Sequence, residues 1–246
     1  MTPLFGAGLV LFSAFPAWAY PTSIISIPTG ETLSVGRLHF GLYGYPVGPS
    51  GDFSFNTGLF DGFQAGETKI GSLEFGFDSN YPQLDYDESM QKGLAFSLSA
   101  KLGLMTETDS LPAIGLGFYY LGVPSLNGTP NLSYLSMTKS IQSSGIDLGT
   151  YTAGLYRVSP LIDESLGFWA GVTHELPFNL SLLGDFTSSA SPANSYGGSN
   201  VALCLTPFDA FSITSGYYLS NNREEPGDAA FLFLDYEIAL GGKAGE

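Results

Sequence analysis

Two histidines, one cysteine and 23 carboxylates set against 8 basic side chains are what this chain of 246 residues offers for chemistry. Nucleophilic or general-base catalysis would have to pass through His39 or His174. His39 sits in RLHFGLYGY, where alternation places it opposite Leu38, Phe40 and Leu42; His174 falls in a turn-like HELP. Cys204 has no partner for an intrachain disulfide, and no Cys or His cluster has zinc spacing. The run DYDE at 85–88 carries oxygen ligands suited to calcium but lacks the glycine-bearing loop of an EF-hand. Gly115 and Gly117 stand inside a strand-like run, not ahead of a helix, so they make no phosphate cradle. No catalytic residue, cofactor or metal is expected. What remains is a pattern of charge: Glu74, Asp78, Lys101, Asp185, Asp235 and Glu237 share the parity of small residues, as His39 does.

That parity belongs to strands. In LAFSLSAKLGL (94–104) Leu94, Phe96, Leu98, Leu102 and Leu104 alternate with Ala95, Ser97, Ser99, Lys101 and Gly103. The same period of two recurs through RLHFGLYGY, SLEFGFD, IGLGFYY, LSLLGDF, VALCL and FLFLDYEI, and no helical period competes with it. About twelve strands of roughly nine to eleven residues result, the length a tilted transmembrane strand needs. Phe178 is read with Leu180 and Leu182 as the apolar set of one of them. The connections alternate between short turns, as at 106–112, 174–177 and 206–209, and longer polar loops from Asp78, Ser188 and Ser220.

A soluble strand exposes long charged side chains on its polar face, whereas here that face is Gly, Ser, Ala, Asn and Tyr. Small residues suit the concave side of a closed barrel, with the greasy side turned to lipid. Composition agrees: 32 Gly, 19 Phe and 14 Tyr, with only 13% of residues charged. The expected fold is all-β, a single closed antiparallel transmembrane barrel over residues 20–246; a soluble secreted all-β protein is the alternative. Residues 1–19 read as a cleaved export signal, apolar from Leu4 to Phe15 and ending on Ala17-Trp18-Ala19. A net charge of −15 excludes a nucleic-acid partner, whose phosphates call for Lys and Arg.

The segment IPTGETLSVGRLHFGLYGY from Ile27 resembles the opening of a broad group of bacterial outer-membrane β-barrel proteins related to those encoded with exopolysaccharide genes. Its pattern is IPT, a Leu, then a Gly leading into the first strand; SLEFGFD, LPAIGLGFYYLG and LSLLGDF extend the likeness. The resemblance implies a barrel in the outer membrane of a Gram-negative bacterium, in contact with its lipid and inserted by the barrel-assembly machinery. Such barrels commonly end on an aromatic, for which Tyr236 and Ile238 stand in here. The expected role is passive, a narrow porin-like channel or a structural envelope barrel. A barrel-embedded lipid hydrolase is the enzymatic alternative, and it would need His39 on the lipid side. Five lumen acids against Lys101 would favour cations if water fills the pore. They could equally form a paired network that plugs it, with Tyr43, Tyr119 and Tyr218 filling the interior.

Overall fold

Alternation at the period of the pleat commits each segment to a strand with one greasy and one small face, and closing the sheet removes its edges. The computed structural model describes residues 23–45, 50–80, 95–121, 131–159, 166–188, 197–221 and 228–240. The export signal at 1–19, the acidic run at 85–88, Leu94 and the tail after Leu240 lie outside the described residues.

The strands are β1 (Arg37–Tyr45), β2 (Ser50–Phe60), β3 (Phe63–Ala65), β4 (Thr68–Ile70), β5 (Ser72–Asn80), β6 (Ala95–Met105), β7 (Ala113–Leu121), β8 (Asn131–Ser143), β9 (Ile146–Ser159), β10 (Leu166–Leu176), β11 (Leu180–Thr187), β12 (Gly198–Phe208), β13 (Phe211–Ser220) and β14 (Ala229–Ala239). All except β3 and β4 form one closed barrel of twelve strands, each antiparallel to its neighbours in the sequence. The ring closes where β1 meets β14, from Arg37 opposite Ala239 to Gly44 opposite Leu232. Among the described residues there is no helix.

The β3–β4 hairpin is an addition that alternation did not announce, since each of its strands spans three residues. It interrupts the connection between β2 and β5 and presents Phe63, whose ring packs edge-on against Phe60 at 5.0 Å. Strands β8 and β9 are longer than expected and meet in a two-residue turn at Ser144 and Gly145, both at positive φ. Phe178 is not a strand residue. It lies in the loop 177–179 with φ 68°, because Pro177 has no N–H to offer the ladder and the chain must reverse before Leu180. His174 conversely belongs to β10, opposite Leu182, and not to the turn.

Outward-facing positions form a greasy band: Leu42, Leu73, Leu98, Leu102, Leu116, Leu135, Leu155, Phe168, Leu182, Leu203 and Leu232 are all exposed. On β1, β2 and β5 the band is a group of touching rings, with Phe40 and Phe55 at 5.2 Å and Phe55 and Phe77 at 5.4 Å. Inward-facing positions are either small and polar or large and aromatic. Tyr134, Tyr156 and Trp169 are buried inside the barrel, as are Leu183, Phe231 and Phe233. These rings fit because glycine stands across from them in the ladder. Gly117 faces Tyr134, Gly154 faces Trp169 and Gly167 faces Tyr156, and a Cβ on any of the three glycines would collide with the ring. The in-strand glycines are thus sockets for the interior aromatics.

Candidate functional site

The lumen of this barrel is occupied by its own chain. Residues 23–35 precede β1 in sequence and lack the period of two, so they cannot extend the wall; they run through the interior. Ser23 bridges Pro28, and Ile24 N donates to Ile27 O at 2.9 Å, folding 23–28 into a tight turn. Its tip is caught by one carboxylate. Ile25 N and Ser26 N donate to Asp185 Oδ2 at 3.2 and 2.7 Å, the Ser26 hydroxyl donates to the same group, and Asn200 Nδ2 donates to Asp185 Oδ1 at 2.6 Å. Ile24 and Ile27 enter the aromatic cluster of Tyr134, Tyr156 and Trp169.

From there the segment crosses the barrel, bonded to successive strands. Pro28 O accepts from Ser136 Oγ at 2.8 Å, and Gly30 N donates to Thr138 Oγ1 at 2.9 Å. Gly30 lies so close to the Ala113 carbonyl that a Cβ there would overlap it. Glu31 O accepts from Lys101 Nζ at 2.7 Å, Thr32 Oγ1 donates to Ser72 Oγ at 2.7 Å, and Leu33 N donates to Glu74 Oε2 at 2.9 Å. Val35 pairs in parallel with Gly58, its N donating to Asp61 at 2.7 Å, and Gly36, at φ 79°, turns the chain into β1. Each conspicuous residue of IPTxxxLxxG therefore has a position inside: Ile27 in the aromatic cluster, Pro28 and Thr29 buried beside Ser136, Leu33 buried near Gly58, and Gly36 at the reversal.

Most of the charged residues that share the small face meet this segment or one another. Glu74 and Lys101 are cross-strand neighbours, 5% and 3% exposed. Asp185 holds the turn. His39, 2% exposed, faces Asp235, its Nε2 3.1 Å from Oδ1; Tyr43 adds a longer bond to Asp235 and one of 2.9 Å to Ser54. His39 therefore does not face the exterior, where the lipid-hydrolase alternative would need it. Asp78 is half-buried, opposite Ser54 and Ser97 in register. Glu237 pairs with Arg37, a second basic residue on this face. Sequence parity could have found Arg37, which is two residues from His39; it was hidden by standing at the first residue of β1.

Ser136, Thr138 and Asn200 carry contacts to the segment that sequence reasoning did not single out, because a lone hydroxyl or amide on a small face has no spacing signature. Where the segment leaves the strands, Glu31 approaches Glu107, which in turn pairs with Lys139 at 3.0 Å and accepts from Ser140 N at 2.8 Å. Burial, and then the Glu107 carboxylate, push the Glu31 carboxyl above its ordinary range; Lys101 and a backbone donor from Glu107 oppose the shift. Glu74, Gly76, Ser99, Ala100, Lys101, Tyr119 and Tyr134 line a crevice too narrow to hold a water molecule.

The arrangement recognises an extended main chain. Wall side chains satisfy the N–H groups of Ile25, Ser26, Gly30 and Leu33 and the carbonyls of Pro28 and Glu31, so a backbone that could not otherwise be buried is buried without a strand partner. No family model matches the chain, and no curated protein matches it in sequence.

Proposed function

We propose that the protein is an outer-membrane β-barrel of the cell envelope whose lumen is closed by residues 23–35 of its own chain. The carrying observation is that the fold is inverted relative to a soluble barrel. Leucine and phenylalanine cover the outside, while carboxylates, lysine and hydroxyls are buried inside against a peptide segment. An apolar exterior of this kind is stable against acyl chains and unstable in water. The strand lengths, from 8 residues in β11 to 14 in β9, suit a tilted span of the hydrocarbon layer. Of the two passive roles, the occupied lumen favours the sealed envelope barrel over a constitutively open porin.

Refolding the full chain into detergent micelles or lipid vesicles tests the membrane reading. A membrane barrel will run on a dodecyl sulfate gel as a fast band unboiled and a slow band boiled, and will float with vesicles in a density gradient. A chain that stays in the aqueous fraction, with one mobility regardless of boiling, would refute it.

A further inference from the structure

The closed ring does not need the segment that fills it. Every barrel strand is paired on both sides by other barrel strands, and the β1–β14 closure starts at Arg37, after the segment has ended. Among the described residues the segment has one β-bridge to the wall backbone, Val35 with Gly58, and one backbone bond to the first residue of β1, Arg37 N to Ser34 O at 3.1 Å. Its polar attachments to the wall include side-chain bonds to Asp185, Asn200, Ser136, Thr138, Lys101, Ser72, Glu74 and Asp61, none of which is a rung of the barrel's backbone ladder. Ser26, at the tip of the turn, is exposed, so the segment is open to solvent at that end.

Away from the rings of β7 to β10, what lies behind it is hydrophilic. Ser54, Asn56, Ser72, Ser99, Ser136, Thr138 and Thr152 line the wall, with Glu74 and Asp185 turned toward the segment's N–H groups. Withdrawing the segment would strand those carboxylates in an apolar cavity but leave them solvated in a water-filled one. An extended chain fills a tube roughly 5 Å by 10 Å, the spacings of strands within and between sheets, which is room for a small cation carrying part of its hydration shell. Arg37 and His39 are occupied by Glu237 and Asp235, so the acids that hold the segment from the wall, Glu74 and Asp185, are set against Lys101.

Resting on the membrane reading above, we propose that residues 23–34 are a releasable plug, and that the barrel with this segment withdrawn is a channel preferring small monovalent cations. The lumen is then a peptide-binding channel whose resident ligand is tethered at Gly36, and any extended chain offering the same N–H pattern competes for it.

Planar-bilayer recording compares the full chain with one lacking 23–34, each first shown to have the heat-modifiable mobility of a folded barrel. The full chain is expected to open rarely and briefly. The deletion is expected to give discrete steps, with a reversal potential under a KCl gradient displaced toward that of K⁺. Asp185→Asn combined with Glu74→Gln in the deletion background should reduce that displacement, and a synthetic SIISIPTGETLS peptide should restore closure. A folded deletion variant that is silent, or a full chain as conductive as the deletion, overturns the proposal while leaving the membrane reading intact; a full chain that fails to insert refutes the membrane reading itself.

Should the deletion fail to fold, a tether decides. Ser26 Oγ lies 3.0 Å from Asn200 Nδ2, so Ser26→Cys with Asn200→Cys, in a Cys204→Ala background, should cross-link the plug to the wall. Openings suppressed on oxidation and restored by a thiol reductant support release. Recordings identical in the two redox states overturn it.

Discussion

On β7 to β10 the inner wall is a stack of rings: Tyr119 and Tyr134 at 5.2 Å, Tyr134 and Trp169 at 5.5 Å, and Trp169 parallel to Tyr156 at 5.3 Å. On β2, β5 and β6 the same face carries Ser54, Asn56, Ser72, Glu74, Ser99 and Lys101, with no ring among them. One segment touches both, and its sequence divides accordingly. Ile24 and Ile27 insert among the rings, while 31–33 offer backbone N–H and C=O to the charged side. The apolar quarter fixes where the segment sits, through shape that cannot be rearranged cheaply. The polar quarter satisfies its backbone through groups that water could replace. Anchoring and release are thus assigned to different strands.

The comparison breaks most visibly at Trp169. Its ring rests on Gly154, stacks on Tyr156, and its Nε1 donates to Ser136 Oγ at 3.2 Å. Trp169→Ala empties a buried ring site and should cost about 4–5 kcal/mol in urea unfolding from vesicles. It should also loosen residues 23–28, read as faster protease cleavage there. A loss below about 1 kcal/mol would mean that the aromatic quarter is not the anchor.

The polar quarter should respond differently, because its groups work in pairs. Lys101→Met leaves Glu74 buried beside an apolar side chain, and about 3 kcal/mol should be lost. Adding Glu74→Gln should recover most of that loss, since Gln can still accept from Leu33 N while no charge is left unpaired. Additive losses in a double-mutant cycle would show that Glu74 and Lys101 act independently, although they are cross-strand neighbours.

The all-β class and the twelve-strand wall were legible from alternation because a pleated strand has one period and every wall segment obeys it, including Leu94–Leu104, whose greasy and small faces fall outside and inside where described. The parity of Glu74, Lys101, Asp185 and Asp235 followed from the same rule. The plug was not legible. Residues 23–35 have no period, and their partners lie on strands from β2 to β12, so nothing local marks them as interior. The IPT motif resembled a lead-in to the first strand when its Ile27 and Leu33 are in fact buried core. Large inward residues such as Phe231 and Phe233 also break the small-face rule, and only their glycine and tyrosine neighbours explain how they fit: Gly216 under Phe231, and Tyr43 edge-on to Phe233 at 4.8 Å.

The smallest expected effect lies where the segment passes from the polar quarter to the turn end of the barrel. Glu31 is raised from its ordinary value of 4.5, by burial first and by Glu107 second, so folding disfavours its charged form. A carboxyl raised in the folded state contributes its full stability below its unfolded value and loses it as pH climbs through the folded one. The plug should therefore hold best under acid conditions and loosen on alkalisation from about 4.5 upward. The groups facing Glu31 bound this effect: Glu107 repels its carboxylate, Lys101 attracts it, and Lys139 draws part of the Glu107 charge away. Glu31→Gln removes the titration while keeping the shape. Wild type and variant should share an unfolding midpoint below pH about 4.5 and separate above it, the variant being the more stable. The same separation should appear in opening frequency if the segment is the gate. Parallel pH profiles across this range would mean that the carboxyl is too well hydrated to hold the plug in place, and would confine the holding of 23–35 to the ring quarter and Asp185.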